Sequence, residues 1–294
     1  MRVAVLGAGT MGHGIAQVSA MAGHDVSLYD IEDEFVRDGL DQIRENLDEG
    51  IELGKVDSDE ADAAMRRISG TTDLAAACEG VELVIEAVPE QLELKRETFE
   101  NVEAIVDADA IIATNTSSVS VTEIAAVLDR PERAVGIHFF NPVHVMPIVE
   151  VVVAAHTGDE TLATAEAFVE DVDKEAAVVR DYPGFASSRL GVALGVEAIR
   201  MVADGVASPA DIDRVMEVGY NHPMGPLKLT DVVGLDVRLD ILEYLEEELG
   251  PRFHPPQLLK QKVRAGQTGK KAGEGFYVWE AGEAVRVNDL WDSA

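Results

Sequence analysis

Two titratable side chains, His138 and Glu150, are the leading candidates for acid–base chemistry in this sequence. An imidazole titrates near neutral pH, so a histidine at the end of a predicted strand is suited to take a proton from a substrate. Glu150 directly precedes a run of valines, where a lone buried carboxylate is unfavourable. A pair with His138 would satisfy this carboxylate and hold the imidazole tautomer. The alternative is that His138 is an ordinary core histidine.

Nearby polar residues can complete a site for the oxidation of an alcohol. That reaction needs a base for the hydroxyl proton and a hydride-accepting cofactor beside the carbinol carbon. Ser117, in the polar run Thr114–Ser118, can donate a hydrogen bond to a substrate oxygen, although a loop serine or a helix cap has the same appearance. His144 is a second imidazole, for which a solvated loop histidine is the simpler interpretation.

Residues 1–30 predict where the cofactor binds. An apolar strand is followed by a glycine turn, a helix, a second strand and an acid, which is the pattern of a dinucleotide-binding unit. In order, these segments are Arg2–Leu6, Gly7-Ala8-Gly9-Thr10-Met11-Gly12, Ile15–Val18, Val26–Tyr29 and Asp30. A glycine turn alone also fits other α/β proteins, but here the strands, the helix and the acid accompany it.

Each glycine of this turn has a physical reason. Gly7 permits the tight turn, Gly9 lets the backbone approach a pyrophosphate, and Gly12 lets the helix pack against the strand. The N-terminus of the helix offers unpaired N–H groups and the positive end of a dipole to the phosphates. Asp30 can accept hydrogen bonds from the adenosine ribose and would repel a 2′-phosphate. The sequence therefore predicts NAD rather than NADP as the cofactor.

Apolar strands and amphipathic helices alternate along the first part of the chain. This alternation predicts an α/β fold with a Rossmann-type, largely parallel, doubly wound sheet. Ligands bind outside the carboxyl ends of the strands in such sheets. The segments at those ends, which should converge on one crevice, are the glycine turn, Glu86–Glu90, Asn115–Ser118 and His138–Asn141.

The composition changes at Tyr182-Pro183-Gly184. Beyond this point we predict helices, and no strand before the apolar segment Phe276–Trp279. We therefore expect a Rossmann-like NAD-binding domain over residues 1–183 and an all-helical C-terminal domain over residues 184–294. Several of the predicted helices are apolar over much of their length, which favours a homodimer formed through this second domain.

Charge and composition exclude several classes of function. Asp and Glu total 55 against 24 Lys and Arg, so binding to nucleic acid or to an anionic membrane surface is disfavoured. No apolar run is long enough to span a membrane, and a strand predicted from residue 2 leaves no room for a signal peptide, which favours a cytoplasmic location. Cys78 is the one cysteine, so we expect neither an internal disulfide nor a cysteine-built metal site.

Six short motifs are spread over nearly the whole chain. They are Gly7–Gly12, Asn115–Ser118, His138–Pro142, Pro183–Phe185, Pro223–Pro226 and Gly269–Tyr277. In this order they resemble the L-3-hydroxyacyl-CoA dehydrogenase family, and the chain length is most similar to the short, single-function members of that family.

The resemblance implies a reversible oxidation of an (S)-3-hydroxyacyl-CoA, of short chain length, to the 3-oxoacyl-CoA with NAD. It implies His138 as the general base and Glu150 as its orienting partner. Ser117 and Asn141 would contact the substrate and the nicotinamide. The residues that fall where the family contacts its cofactor are Glu90, Lys95 and Lys271. The resemblance also implies a homodimer formed through the C-terminal domain and a role in fatty-acid β-oxidation.

Two departures from the family pattern leave alternatives open. Ser188 stands where the family usually has a substrate-contacting Asn, and a serine is shorter. Lysines that help the family to hold CoA are scarce, since Lys55 is nearly alone among Asp48, Glu49 and Glu52. One alternative is a dehydrogenase of a non-CoA hydroxy acid, such as a sugar acid. Another is a non-catalytic dinucleotide-binding or structural protein, which would need none of the candidate catalytic residues.

The charge balance predicts a requirement for salt, as in proteins of salt-accumulating halophiles. At a net charge of −31, self-repulsion destabilises the fold unless it is screened, and the Debye length falls from ~10 Å at 0.1 M to ~3 Å at 1 M salt. We expect fold or activity to be lost below about 0.5 M KCl. Circular dichroism and activity across a KCl series measure this. Full activity in dilute buffer would instead indicate an ordinary acidic enzyme.

Overall fold

The computed structural model describes residues 1–288. They belong to two compact units, which are joined in sequence between Tyr182 and Pro183.

An eight-stranded sheet forms the centre of the first unit, with the strand order β3-β2-β1-β4-β5-β6-β7-β8. The strands are β1 Arg2–Leu6, β2 Asp25–Tyr29, β3 Ile68–Thr71, β4 Leu83–Glu86, β5 Ile111–Thr114, β6 Ala134–Phe139, β7 Ile148–Val153 and β8 Glu175–Arg180. Neighbouring strands are parallel except β6 and β7, which are antiparallel. The helices of this unit are α1 Gly12–Met21, α2 Asp33–Glu52, α3 Ser58–Arg67, α4 Leu74–Cys78, α5 Leu92–Glu103, α6 Val121–Ala125 and α7 Asp159–Asp171.

Helices cover both faces of the sheet because the strands carry apolar side chains on both sides. In β1, Val3 and Val5 enter one core together with Ile15 of α1. Leu6 enters a second core together with Phe99 of α5. None of these five side chains is exposed to solvent. Because β1 lies between β2 and β4, the strand order reverses there, and a crevice opens at the carboxyl ends of β1 and β4.

The antiparallel β7 breaks the alternation of strands and helices. Residues 140–147, between β6 and β7, contain no helix, and a parallel return needs a crossover of about a dozen or more residues. The chain therefore turns back beside β6 in the opposite direction. β3 is a second departure from the expected pattern, because Ser69 and Gly70 give this short strand no apolar signature.

The second unit begins at Pro183 and is mainly helical. Its elements within the described residues are α8 Ser187–Ala203, α9 Pro209–Arg214 with a π-helical turn Val215–Gly219, α10 Pro226–Val233, α11 Leu235–Leu249, α12 Gln257–Arg264, β9 Tyr277–Glu280 and β10 Glu283–Val287. The predicted fold class, a Rossmann-type doubly wound sheet followed by a helical domain, is confirmed, and the structure adds the β9–β10 hairpin to the helices. No helix among residues 1–288 is long and apolar enough to cross a membrane.

Two buried carboxylates hold the hairpin to the helices. Asp231 accepts the backbone N–H groups of Phe276 and Tyr277, both at 2.8 Å, and the indole N–H of Trp279 at 2.9 Å. Asp213 accepts the Tyr277 hydroxyl at 2.7 Å. Burial raises the pKa of both carboxyl groups, although these hydrogen bonds oppose it. The bonds also fix the turn that precedes the hairpin.

Candidate active site

His138 and Glu150 form a buried pair across two neighbouring strands. β6 and β7 are antiparallel, and their register places His138 directly opposite Glu150. Nδ1 of His138 lies 2.9 Å from Oε2 of Glu150. The two residues are only 8% and 2% exposed. Two residues that are 12 positions apart in the sequence are thus in direct contact within the sheet.

This contact determines which imidazole nitrogen can act as a base. An ionised carboxylate only accepts hydrogen bonds, so Nδ1 of His138 carries the hydrogen that is donated to Glu150. Nε2 then carries no hydrogen in the neutral ring. When Nε2 takes up a proton, the carboxylate at Nδ1 stabilises the imidazolium that results. The Phe140 ring packs on the imidazole with 5.0 Å between ring centroids, which restricts the rotation of the imidazole.

Glu90 accepts several hydrogen bonds from the polar turn that follows β5. Its Oε1 accepts the Thr116 hydroxyl at 2.6 Å and the backbone N–H groups of Ser117 at 2.9 Å and Ser118 at 3.1 Å. The Ser117 hydroxyl lies 3.3 Å from the same oxygen. The candidate substrate donor Ser117 is therefore fixed by a carboxylate that follows β4.

Asn115 connects the same turn to β6. Its Oδ1 accepts the backbone N–H of Phe139 at 2.8 Å, and Phe139 directly follows His138. The turn that carries Ser117 and the strand that carries His138 are thereby held together. Asn141, a further candidate, follows β6 and is exposed.

A buried lysine lies behind Glu90. Nζ of Lys95 is 3.1 Å from Oε2 of Glu90 and 2.8 Å from Oε1 of Glu86. Burial opposes the ionisation of Glu90, but the charge of Lys95 and hydrogen bonds from Thr116 and Ser117 outweigh burial and lower the pKa of Glu90 to about 2. Glu90 is therefore ionised at neutral pH.

Glu86 is a buried partner that the sequence motifs do not single out. It is 0% exposed, and it accepts the Val88 N–H and the Thr114 hydroxyl, both at 2.7 Å, in addition to Lys95. The available signal is an acid that closes the wholly apolar run Leu83–Ile85, since a carboxylate buried there needs partners.

The glycines of the turn between β1 and α1 differ in whether a side chain at their position would collide with the protein. Gly7 has a φ of +102°, and a Cβ there would lie 2.6 Å from the Ala87 carbonyl oxygen. A Cβ on Gly12 would collide with the Gly7 carbonyl oxygen. A Cβ on Gly9 would meet no atom within 4 Å. The fold thus requires Gly7 and Gly12, whereas Gly9 faces open space.

A cleft of about 840 Å³ opens beside this turn. Its lining includes Gly9, Thr10, Met11, Asp30, Phe35 and Leu94. The two oxygens of Asp30 accept the backbone N–H groups of Ala8 at 2.8 Å and Ile31 at 2.7 Å. A carboxylate has capacity for further hydrogen bonds, so Asp30 can also accept from a ribose. The open Gly9, the N-terminus of α1 and the acid after β2 together fit NAD.

The two other candidates, Ser188 and Lys271, belong to the second unit. Ser188 lies in the first turn of α8 and is half-buried. Lys271 is exposed, and its Nζ forms an ion pair with Oδ2 of Asp236 at 2.6 Å. A Cβ on Gly234 would lie 2.9 Å from Oδ1 of Asp236 and 3.3 Å from Nζ of Lys271. Glycine at this position leaves room for the pair.

Within the first unit, the candidates gather near the carboxyl ends of β4, β5 and β6. A base with its orienting carboxylate, a hydroxyl donor and a dinucleotide cleft are the components needed to remove a proton and a hydride from an alcohol. Among residues 1–288, no group of three or more His, Cys, Asp or Glu side chains is arranged to hold a metal ion.

Known proteins resemble the chain over nearly its whole length. Residues 2–182 match the NAD binding domain of 3-hydroxyacyl-CoA dehydrogenase, and residues 184–279 match the C-terminal domain. The chain is 44% identical to the probable 3-hydroxybutyryl-CoA dehydrogenase of Bacillus subtilis, over 95% of this chain and 97% of that one. It is 42% identical to the 3-hydroxybutyryl-CoA dehydrogenase of Mycobacterium tuberculosis, over 95% and 98%. The crystal structure of (S)-3-hydroxybutyryl-CoA dehydrogenase from Ralstonia eutropha matches with a TM-score of 0.91 at 40% identity, over 95% of this chain and 99% of that one.

The substitution Gly9→Ala separates cofactor binding from folding. Its Cβ meets no protein atom, so we expect a melting temperature within about 2 °C of the wild type. NADH affinity should fall by about tenfold or more, because the methyl group takes the space in which the backbone approaches the pyrophosphate. Calorimetry and fluorescence titration measure the two effects.

Gly219→Ala is the matched control, because a Cβ there also meets nothing within 4 Å. It should leave the NADH affinity unchanged. Unchanged NADH affinity in Gly9→Ala would contradict the assignment of the glycine turn.

Proposed function

Since the chain belongs to the 3-hydroxyacyl-CoA dehydrogenase family, we propose that it oxidises a short-chain (S)-3-hydroxyacyl-CoA, such as 3-hydroxybutyryl-CoA, to the 3-oxoacyl-CoA. The reaction is reversible and uses NAD. Membership in this family confirms the predicted resemblance, the NAD-binding domain and the assignment as an NAD-dependent oxidoreductase. The buried contact between His138 and Glu150 is the observation that carries the proposal, because it supplies a base of defined tautomer.

In this proposal, Nε2 of His138 takes the proton of the 3-hydroxyl group. Glu150, at Nδ1, stabilises the imidazolium and returns the ring to its starting tautomer when the proton leaves. Ser117 and Asn141 contact the substrate and the nicotinamide, and Ser188 contacts the substrate. When bound, NAD supplies the acceptor for the hydride of the carbinol carbon.

We assign cofactor binding mainly to residues 1–183, and the substrate contact of Ser188, the cofactor contact of Lys271 and dimerisation to residues 184–294. Gly9 and the N-terminus of α1 face the pyrophosphate, and Asp30 accepts from the adenosine ribose. The residues assigned to the rest of the cofactor are Thr10, Met11, Glu90, Lys95 and Lys271.

A homodimer formed through the second unit is part of the proposal. Large apolar side chains are exposed on its helical segments, among them Leu190, Val218 and Tyr220 at 71%, 80% and 71%. Exposed apolar side chains of this size favour an interaction surface on this unit. We further propose a cytoplasmic location and a role in fatty-acid β-oxidation, because NAD and CoA esters are metabolites of the cell interior.

The substitution His138→Gln tests the proposed base. We expect kcat to fall by ~10²–10⁴-fold, the usual contribution of general base catalysis, while the Kd for NADH is retained. His144→Gln is the matched control, since it removes the imidazole six residues further along the chain and should leave kcat within about twofold. Steady-state kinetics and NADH titration measure these effects. An unchanged kcat in His138→Gln would remove this residue from the role.

The substrate class is tested by NADH-linked reduction in molar KCl. We expect acetoacetyl-CoA to be reduced and free acetoacetate and sugar acids to be left unchanged, because the family substrate is a CoA ester. Reduction of free acids alone would contradict the proposal and favour the hydroxy-acid alternative. Tight NADH binding without turnover of any of these compounds would favour a non-catalytic protein.

A further inference from the structure

The charged groups behind the Ser117 turn carry one net negative charge. Glu86 accepts hydrogen bonds from Lys95, Val88 and Thr114 and donates none, which is the pattern of an ionised carboxylate. The Thr114 hydroxyl donates to Oε2 of Glu86 at 2.7 Å and accepts the Thr116 N–H at 3.2 Å. With Glu90 ionised and Lys95 between the two acids, two negative charges oppose one positive charge.

Burial keeps this charge effective. Glu86 and Lys95 are 0% and 1% exposed, so their fields act through protein rather than through water. The acids on the surface differ, because salt screens exposed charges within a few ångströms at molar concentration. In a chain of net charge −31, the charge of Glu86 therefore acts locally with little screening by salt, whereas Glu90, whose side chain is 37% exposed, is partly screened.

The cluster lies on the side of the sheet that receives the second nucleotide. Asp30 directly follows β2, which lies on one side of β1. Glu86 is the last residue of β4, on the other side of β1, and Glu90 follows that strand. In a doubly wound fold the pyrophosphate sits at the first turn, and the two nucleotides extend to opposite sides of it. With adenosine at Asp30, the nicotinamide of a bound NAD would extend toward β4 and β5, where the Ser117 turn follows β5.

The nicotinamide ring carries a positive charge in NAD⁺ and none in NADH. We propose that Glu86, through the net negative charge that its buried carboxylate gives the Glu86–Lys95–Glu90 cluster, strengthens the binding of NAD⁺ relative to NADH. Glu86 is then a positioning residue for Lys95 that also sets the redox balance of the bound cofactor. This inference rests on the proposed use of NAD.

Glu86→Gln tests the inference with little change of shape. The amide oxygen can still accept from Lys95 and Val88, while the charge is lost. We expect the ratio of Kd for NAD⁺ to Kd for NADH, from calorimetric titrations at pH 8, to rise about 5- to 10-fold. A merely structural role would weaken both complexes together and leave the ratio unchanged.

Glu93→Gln is the matched control. Glu93 lies near Lys95 on α5, but its side chain is 84% exposed, so loss of its charge should leave the ratio within about twofold of the wild type.

Lys95→Gln provides an independent test with the opposite sign, and it carries the test if Glu86→Gln does not fold. Removal of the ammonium makes the cluster more negative, so the same ratio should fall. Any contact that Lys95 makes with parts of the cofactor other than the nicotinamide ring is common to both cofactor forms and cancels in the ratio.

A folded Glu86→Gln with an unchanged ratio would overturn the inference, as would a ratio in Lys95→Gln that is unchanged or raised. A wild-type protein that binds neither NAD⁺ nor NADH would overturn the proposed function and this inference with it. If the wild type binds both forms but the ratio of Kd for NAD⁺ to Kd for NADH is the same in Glu86→Gln and Lys95→Gln as in the wild type, the inference alone is overturned.

Discussion

The antiparallel pairing of β6 with β7 brings an imidazole and a carboxylate into contact, and the candidate chemistry depends on that register. Residues directly opposite each other in an antiparallel pair share one face, with Cβ atoms about 4.5–5.5 Å apart. A slip of one residue would turn Glu150 to the other face. Val149 and Val151 oppose such a slip, because both are fully buried in the core on that other face. Gly136 favours the close approach, since a Cβ there would lie 2.7 Å from Cβ of Val152.

Hydrogen bonds between strand ends hold the rest of the site around this pair. Asn115 joins the β5 turn to β6, and Glu90 joins the same turn to the segment after β4. Lys95 then ties Glu90 to Glu86, at the end of β4 itself. Glu86 and Lys95 are fully buried, where polar side chains need such partners. The site is therefore positioned by the carboxyl ends of the strands, and hydrogen bonds to neighbouring segments hold the loops that follow them.

Local sequence signals predicted the parts of the site in which one turn or strand decides the geometry. Gly7 and Gly12 follow from the strand-turn-helix context, and the structure supplies the steric reason for each. The suspicion of a partner for Glu150 came from a charge within an apolar strand, which is also a local observation. No local sequence signal gave the direction of β7, because that direction depends on how the short segment after β6 returns to the sheet.

Contacts between separate elements could not be derived from spacing alone. Glu86 and Lys95 are nine residues apart and belong to a strand and a helix, so no single periodicity places them together. The β9–β10 hairpin is similar, because its attachment depends on Asp231 and Asp213, two acids of different helices. Such acids look like ordinary surface charges in so acidic a sequence. Their burial becomes visible only when the packing is known.

The most direct test of the account is the tautomer of His138 in the resting protein. Long-range ¹H–¹⁵N correlation spectra of protein labelled with ¹⁵N-histidine distinguish the two ring nitrogens, and His138→Gln assigns the signal. We expect the neutral ring to carry its hydrogen on Nδ1, directed at Glu150, and none on Nε2. A hydrogen on Nε2 in the neutral ring would contradict the proposed base and its pairing with Glu150.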